Sequence, residues 1–326
     1  MAFADVLGHE RVKSILASAL RHGRLPPALL LSGPEGVGKK ALALVAARAL
    51  LCEGAPGDVC DECAACRRAL RGLHPDLVVV EPEGGSIKID RVREAARQIG
   101  SRPFEARARA FVIDDAHLLT EQAANALLKS LEEPCPTSHV LLVSAAPQAL
   151  LPTVRSRCQA LRLDMLPRAL LARHLEQRCG LDADEARLRA SLSGGSLGQA
   201  LAFEPLAYRG LRDALLALLE ALPRQGPLER MDTAEKLAGI DDLPLALTAL
   251  RALLRDVAVL AAAAPASALL NPDVVSRLEP LARGPLGRDA PGLARSVGET
   301  REALRGNANP LISMDVLLDV LAAPAA

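Results

Sequence analysis

A glycine-rich stretch near the start of the chain has the residue types that bind phosphate. It follows the short apolar run Ala28–Leu31 and is followed by a helical pattern. Glycines allow the backbone amides of such a loop to face a phosphate chain, and a lysine at its end reaches the terminal phosphates. The candidate nucleotide-binding residues of this loop are Gly33, Gly36, Gly38 and Lys39.

The residues that should complete a nucleotide site depart from the usual pattern. Lys40 stands where a Ser or Thr hydroxyl would ligate Mg²⁺. An inward-facing ammonium would compete with the metal, whereas a solvent-facing one would still allow nucleotide to bind. Downstream, an apolar run ends in Asp114 and Asp115, as in a Walker B strand. Asp114 is a candidate magnesium ligand through water. Asp115 stands at the position of the usual catalytic Glu and is one methylene shorter. A misplacement of the attacking water by about 1 Å costs on the order of a hundredfold in rate. Alternatively, both acids cap the strand and turn.

Four cysteines follow the first helix after the loop, at a spacing that suits a metal ion. They are Cys52, Cys60, Cys63 and Cys66. Two overlapping C-x-x-C steps with a fourth upstream thiolate can surround a tetrahedral ion, which is how structural Zn²⁺ is held. A redox dithiol needs only two cysteines, so it is the weaker alternative. A nucleic-acid-reading finger is disfavoured because this module is isolated and has no histidine pair.

The first half of the chain alternates strand and helix patterns. Short apolar runs without polar alternation are typical of a parallel sheet covered on both faces, so the pattern predicts a doubly wound α/β domain. The predicted strands are Ala28–Leu31, Leu77–Val80, Ala110–Ile113 and Val140–Val143, and the helical patterns between them include Asp90–Ile99 and Glu121–Glu132.

The second half is predicted to be helical to its end. Helical patterns run from Pro167 onward and are interrupted by glycines and prolines. The last pattern, Leu311–Leu321, is apolar on nearly every side, so the helix needs neighbours around most of its surface. These neighbours are either the remainder of its own bundle or another subunit.

The composition gives no sign of a strong electrostatic partner or a membrane. The 326 residues have a formal net charge of zero and contain five aromatic side chains, four Phe and one Tyr. A neutral chain with few aromatic side chains is poorly suited to form the main DNA-binding surface. No secretory signal pattern precedes the first helix, and Val257–Pro272 is too short to cross a bilayer. We therefore expect a cytoplasmic protein, in which clustered cysteines indicate metal rather than disulfides.

Several motifs together resemble bacterial clamp-loader subunits of DNA polymerase III. They are the phosphate loop, the cysteine spacing, Leu73-His74-Pro75-Asp76, Asn125–Pro134 and Ser156-Arg157-Cys158. The resemblance covers about residues 5 to 205. It implies an AAA+-type P-loop domain with a zinc module, followed by all-α lid and collar domains. The implied domains are 1–165, with the zinc module at 52–66, then 166–207 and 208–326.

The resemblance also implies roles for three positions. Arg157 would project into a neighbouring subunit's nucleotide site as an arginine finger, where its charge stabilises the transferred phosphoryl group. Alternatively, Arg157 is an ordinary surface or salt-bridged arginine with no role in catalysis. Ser144 matches the sensor-1 position, and the sensor-2 arginine of motor subunits is replaced by Gly198. Because Lys40, Asp115 and Gly198 each remove a different part of the hydrolysis apparatus, we expect no independent ATPase activity.

The function implied by the resemblance is that of a stator subunit that helps load the sliding clamp onto primed DNA. Its partners would be the gamma/tau and delta subunits, with the clamp and primer-template DNA contacted through the complex, and no membrane. ATP binding by the degenerate loop is left open. The alternatives are an active gamma-like clamp-loader ATPase, a zinc-dependent DNA-binding protein, and a scaffold outside replication.

Overall fold

The structure is a computed structural model that describes residues 1–54, 56–265 and 268–322. Its internal contacts divide the chain into two compact units. The first comprises Met1–His174 together with Gly194–Leu201, and the second comprises Leu175–Ser193 and the residues from Ala202 onward.

The first unit is built on a five-stranded sheet in which every pair of neighbouring strands is parallel. The strands are β1 (Ala28–Ser32), β2 (Leu77–Val80), β3 (Arg109–Ile113), β4 (Ser138–Ser144) and β5 (Gln159–Arg162). Their order across the sheet is β2-β3-β4-β1-β5. The register places Leu31 opposite Val143 and Val80 opposite Ile113, so the carboxyl ends of the central strands lie along one edge.

Alternate residues of the central strands belong to separate cores on the two faces of the sheet. Leu29, Leu31 and Val143 contribute to one core, and Leu30 and Ile113 contribute to the other. A strand that is buried on both faces has no polar alternation, which is why β1 and β3 are apolar along nearly their whole length. The predicted doubly wound α/β fold and its four predicted strands are confirmed.

Strand β5 was absent from the sequence-based prediction. It pairs only with β1 and lies at the edge of the sheet. Three of its four residues are exposed, among them Gln159 and Arg162. An edge strand can carry polar residues because one side of its backbone faces solvent, so it lacks the apolar signature of the buried strands.

Helices surround the sheet of the first unit, and two of them, over Ile89–Ile99 and Glu121–Glu132, match the predicted bounds to within one residue. The helices are α1 (Glu10–Arg21), α2 (Lys39–Leu51), α3 (Ala64–Leu70), α4 (Ile89–Ile99), α5 (Glu121–Glu132), α6 (Pro152–Arg155), the first half of α7 (Arg168–Cys179), and α9 (Leu197–Leu201). Thr120 caps α5 by accepting a hydrogen bond from the amide of Ala123. The helix stops before Pro134, as the lack of a proline amide requires.

A buried carboxylate fixes the segment that precedes β3. Asp76 is fully buried and accepts hydrogen bonds from the amides of Phe104, Glu105 and Ala106 and from the guanidinium of Arg109. Burial acts to raise the pKa of Asp76, but these hydrogen bonds together outweigh it and lower the pKa to about 2. The ionised carboxylate is therefore part of the folded domain at neutral pH.

The second unit is helical throughout its described residues. After the second half of α7 it contains α8 (Ala183–Leu192), α10 (Pro205–Ala221), α11 (Pro227–Ala238), α12 (Leu243–Ala261), α13 (Val275–Arg283), α14 (Pro285–Arg288), α15 (Ala290–Arg305) and α16 (Pro310–Ala322). Its core lies mainly around α12, whose buried residues include Leu250, Leu253 and Val257.

The last helix packs on one side only. Leu317, Leu318 and Leu321 of α16 belong to the core of the second unit. Ile312 and Val316 on the same helix are 63% and 59% exposed. The helix thus satisfies part of its apolar surface within its own unit and leaves another part uncovered. No helix within the described residues is both long enough and apolar enough to cross a bilayer.

Candidate nucleotide and metal sites

The phosphate loop has the backbone conformation that its glycines allow. Gly33, Gly36 and Gly38 have φ values of 145°, 71° and 100°, all in a region that side-chain-bearing residues avoid. The loop leads from β1 into the amino-terminal end of α2. Lys39 begins this helix, is 6% exposed, and donates a hydrogen bond from Nζ to the carbonyl oxygen of Pro34 at 2.7 Å. Burial lowers the pKa of Lys39, against the opposing effect of nearby carboxylates.

The Lys40 side chain is 43% exposed, and its ammonium turns toward two acids and forms ion pairs with both. Its Nζ lies 2.9 Å from Oδ2 of Asp114 and also contacts the carboxylate of Glu81. Burial alone would lower the pKa of Lys40, but its hydrogen bonds with Glu81 and Asp114 outweigh burial and raise the pKa above its ordinary value. The side chain is therefore an ammonium at neutral pH, and its charge is directed at the predicted Walker B acid.

The remaining acids and hydroxyl lie at the same edge of the sheet. Asp114 follows β3, is largely buried, and donates its amide to the carbonyl of Val80 at 2.9 Å. Asp115 has a left-handed backbone conformation, with φ of 44°, and begins the turn after the strand. Ser144 ends β4, and its Oγ is buried with no hydrogen-bond partner among the described residues. The sheet thus brings the predicted site residues Lys39, Lys40, Asp114, Asp115 and Ser144 to the edge where the carboxyl ends of β1, β3 and β4 lie.

Gly198 lies against the phosphate loop with little room for a side chain. Its amide donates a hydrogen bond to the carbonyl oxygen of Gly36 at 2.9 Å, so this segment packs directly against the phosphate loop. A Cβ added at Gly198 would lie 3.0 Å from Cα of Gly36, tighter than ordinary packing allows. An arginine at this position would require the loop or the start of α9 to move.

A P-loop site of this kind normally takes ATP with Mg²⁺, and the residues present do not fit the metal. Mg²⁺ needs oxygen ligands in a near-octahedral shell at about 2.1 Å. Lys40 supplies no oxygen, and its ammonium pairs with one oxygen of Asp114 and one of Glu81, the carboxylates from which such a shell would be built. Like charge would repel the ion as well.

The predicted arginine finger lies in a short exposed segment after α6. The Arg157 side chain is 34% exposed and forms an ion pair with Glu132 at the end of α5. Its Nη1 also donates a hydrogen bond to the carbonyl oxygen of Thr153 at 2.8 Å. The guanidinium is therefore held in one orientation by its own subunit while part of it stays open to solvent.

The four predicted cysteine ligands converge. Their Sγ atoms all lie within 4.8 Å of one another. The amide of Cys63 donates to Sγ of Cys60 at 3.4 Å, and the amide of Cys66 donates to Sγ of Cys63 at 3.3 Å, which also caps α3. Amide–sulfur hydrogen bonds stabilise thiolates and orient them, as the groups around metal ligands commonly do.

This donor set fits Zn²⁺. Sulfur atoms at the corners of a tetrahedron with Zn–S bonds of about 2.3 Å lie about 3.8 Å apart, close to the arrangement of these thiols. Without a metal, burial is the largest influence on Cys66 and raises the pKa of its thiol to about 12. A bound Zn²⁺ would supply the positive charge that keeps four thiolates together. Because all four positions are filled by protein, the site would be structural.

Two residues that hold the candidate site together are absent from the sequence-based predictions. Glu81 directly follows β2 and pairs with Lys40. Glu132 lies within the Asn125–Pro134 motif and pairs with Arg157. The place of Glu81 at the carboxyl end of a predicted parallel strand is the signal that could have identified it. Glu132 carried no comparable signal, since charged residues at helix ends are common.

The sheet order, the phosphate loop and the acids after β3 define a P-loop protein of the AAA+ type. The family described as "DNA polymerase III, delta subunit" matches residues 8–167. The chain belongs to the clamp-loader family of bacterial DNA polymerase III subunits.

The relatives include more than one kind of clamp-loader subunit. The chain is 35% identical over 184 residues to DNA polymerase III subunit delta′ of Bacillus subtilis, covering 56% of this chain and 55% of that protein. It is 36% identical over 231 residues to subunit gamma/tau of Mycobacterium tuberculosis, covering 68% of this chain and 39% of that protein. The chain therefore spans about half or less of the length of these relatives.

Solved structures similar to the chain are more distant. A gamma subunit-related DNA polymerase III protein of Thermotoga maritima is 17% identical with a TM-score of 0.40, covering 96% of this chain and 98% of that one. The RuvB Holliday junction branch migration motor of the same organism is 16% identical with a TM-score of 0.41, covering 83% and 88%.

Proposed function

We propose that the chain acts in the cytoplasm as a delta prime-type stator of the DNA polymerase III clamp loader. In this role it does not hydrolyse ATP itself, but presents Arg157 to the nucleotide site of a neighbouring gamma or tau subunit. The observation that carries the proposal is the contrast between Lys40, whose ammonium is paired with Asp114, and Arg157, whose guanidinium stays partly open to solvent.

The geometry of Arg157 supports action in trans. A guanidinium stabilises the charge that develops on a transferred phosphoryl group, and it does so best when it is already oriented. Glu132 contacts Nη2 and the carbonyl of Thr153 accepts from Nη1, and because the guanidinium has five N–H donors and the side chain is 34% exposed, donors remain for a phosphate of another subunit.

The exposed apolar surface of the second unit supports assembly into a complex. Ile312 and Val316 of α16 and Leu228 and Met231 of α11 are each more than half exposed. Helices α11 and α16 pack against each other. Grouped apolar side chains of this kind mark interaction surfaces, so we assign this face to the collar. Its partners in the proposal are the gamma/tau and delta subunits, and the complex brings it to the sliding clamp and primed DNA.

The test uses a clamp loader reconstituted with purified partner subunits. Arg157→Ala should leave folding, zinc content and assembly intact, because one exposed ion pair contributes little to stability. Clamp- and DNA-stimulated ATPase and clamp loading should nevertheless fall. An arginine finger is worth about a thousandfold or more at the one site it serves, so total ATPase falls partially unless the sites act in order.

Two further variants make the test specific. Arg157→Lys should rescue poorly, since lysine keeps the charge without the planar fork. Arg155→Ala removes an exposed arginine two positions away and should have little effect. Unchanged ATPase and loading in the Arg157→Ala complex, at saturating ATP and confirmed stoichiometry, would leave the chain as a scaffold only.

The second candidate function is an active gamma-like clamp-loader ATPase. It is favoured by the 36% identity to gamma/tau over 68% of this chain, a longer match than the one to delta′. Robust steady-state ATPase activity from homogeneous wild-type protein would establish this function instead. A pull-down that recovers gamma or tau, delta and the clamp would support either clamp-loader role over a scaffold outside replication.

A further inference from the structure

Two acids at the carboxyl ends of β2 and β3 pair with the same lysine ammonium. Glu81 follows β2 and Asp114 follows β3, and the two strands are neighbours in the sheet. Lys40, in the first turn of α2, reaches both carboxylates with its ammonium. Two acids that converge beside a phosphate loop ordinarily require a counter-ion, because like charges at close range repel each other strongly.

We infer that the Lys40 ammonium is the resident cation of this site and excludes a divalent metal from the Asp114–Glu81 carboxylate pair. This inference goes beyond the proposed stator role, since it concerns the isolated chain and does not depend on Arg157. It assigns Glu81, which no motif marks, as the second acid that holds the cation.

The geometry gives the ammonium three advantages over a metal ion. It is tethered to α2, so placing it costs no loss of translational freedom, and its effective concentration at the acids is high. It donates hydrogen bonds, which a carboxylate accepts at ordinary distances such as the 2.9 Å between Nζ and Oδ2 of Asp114. Mg²⁺ would have to shed water and find further oxygen ligands, and it dehydrates reluctantly.

Lys39, which precedes Lys40 in the chain, is not part of this cation site, because its ammonium donates to the carbonyl oxygen of Pro34. Removing Lys40 should reverse the situation, because Asp114 and Glu81 would be left without their counter-ion, and a threonine at position 40 would add a hydroxyl oxygen. The acids would then form a site for a hard divalent cation.

The experiment measures Mn²⁺ binding by electron paramagnetic resonance to zinc-loaded protein, with and without ADP. The wild type should bind no Mn²⁺ at this site. Lys40→Thr should gain about one Mn²⁺ per chain, in keeping with carboxylate and hydroxyl ligands. Lys40→Thr combined with Asp114→Asn should lose it again. Lys236→Thr removes an exposed lysine from α11 and should bind no more Mn²⁺ than the wild type.

Two outcomes would overturn the inference. One is Mn²⁺ bound by the wild type and lost in Asp114→Asn, which would show that the metal enters despite Lys40. The other is folded Lys40→Thr protein that gains no Mn²⁺, which would show that the acids are not a cation site. Far-UV circular dichroism and zinc content establish folding. If Lys40→Thr does not fold, the wild-type and Asp114→Asn titrations still decide whether the metal is excluded.

Discussion

Helix α2 has a candidate site at each end, and the two sites are built differently. At its carboxyl end Cys52 begins a metal-ligand set contained within 15 consecutive residues, Cys52 to Cys66. At its amino end the phosphate loop meets residues from β2, β3 and β4, and from the segment that contains Gly198. The cysteine set is complete, whereas the nucleotide site keeps its loop and lacks its metal ligand.

The difference shows how a site made of distant parts can lose them one at a time. The loop backbone is maintained by its glycines and by packing against Leu163 and Gly198, independently of whether a metal is held. Replacing a hydroxyl by Lys40 thus leaves the fold intact and changes only what the acids bind. A four-thiolate site has no such tolerance, because the loss of any ligand leaves the others unpaired.

The largest effect is expected from removing the metal at the carboxyl end of α2. Purified, reduced protein should carry about one zinc per chain. Cys63→Ser or a strong chelator should lower the free energy of unfolding by several kcal/mol, because the binding free energy of a structural zinc contributes to folding. Elemental analysis and thermal denaturation measure both. Cys135→Ser is the control and should keep the zinc. If the metal-free protein were as stable as the zinc-bound protein, the cysteine site at the carboxyl end of α2 would not be a structural metal site, and its contrast with the nucleotide site would be wrong.

A smaller effect is expected from replacing Asp76, which should lower the stability of the fold without removing the metal. Its pKa of about 2 lies below the value of about 4 in an unfolded chain, so its contribution to stability is full above pH about 4 and is lost as the pH falls toward 2. Asp76→Asn should cost about 2–3 kcal/mol at pH 7. The difference from the wild type should shrink steadily in acid.

Denaturant unfolding between pH 2 and pH 7 measures this effect, and zinc content should stay unchanged. Asp90→Asn replaces an exposed aspartate in the first turn of α4 and should cost less than about 1 kcal/mol. A pH-independent difference between Asp76→Asn and the wild type would mean that the carboxylate charge is not what stabilises the segment before β3.

The smallest effect is expected on ATP turnover at the amino end of α2. Lys40→Thr restores a hydroxyl, but Asp115 remains one methylene short and Gly198 supplies no cation. Because these parts act on one transition state, returning a single one should leave turnover at background. A coupled assay of phosphate release measures it, with inactive Lys39→Ala protein as the background. Substantial turnover by Lys40→Thr would show that the missing ligand was the only defect.

Much of the first unit follows from the sequence because its signals are short-range. The runs that became β1 to β4 are apolar on both faces, and the helical patterns that became α4 and α5 end at recognisable residues. Strand β5 was missed because an edge strand carries polar residues such as Gln159 and Arg162. The one-sided packing of α16 was also hidden, since a helix that is apolar nearly all round does not show which side is covered.

The sequence by itself determined the features that depend on neighbouring residues: the loop glycines, the cysteine spacing, and the missing hydroxyl at position 40. Only the tertiary structure decided where Lys40 points. Its partners Glu81 and Asp114 lie far along the chain, and they meet it because the order β2-β3-β4-β1 gathers the carboxyl ends of parallel strands at one edge. The same holds for Gly198 against Gly36 and for Glu132 beside Arg157. Ion pairs and close backbone contacts depend on distance in space, which residue types and spacing along a chain do not specify.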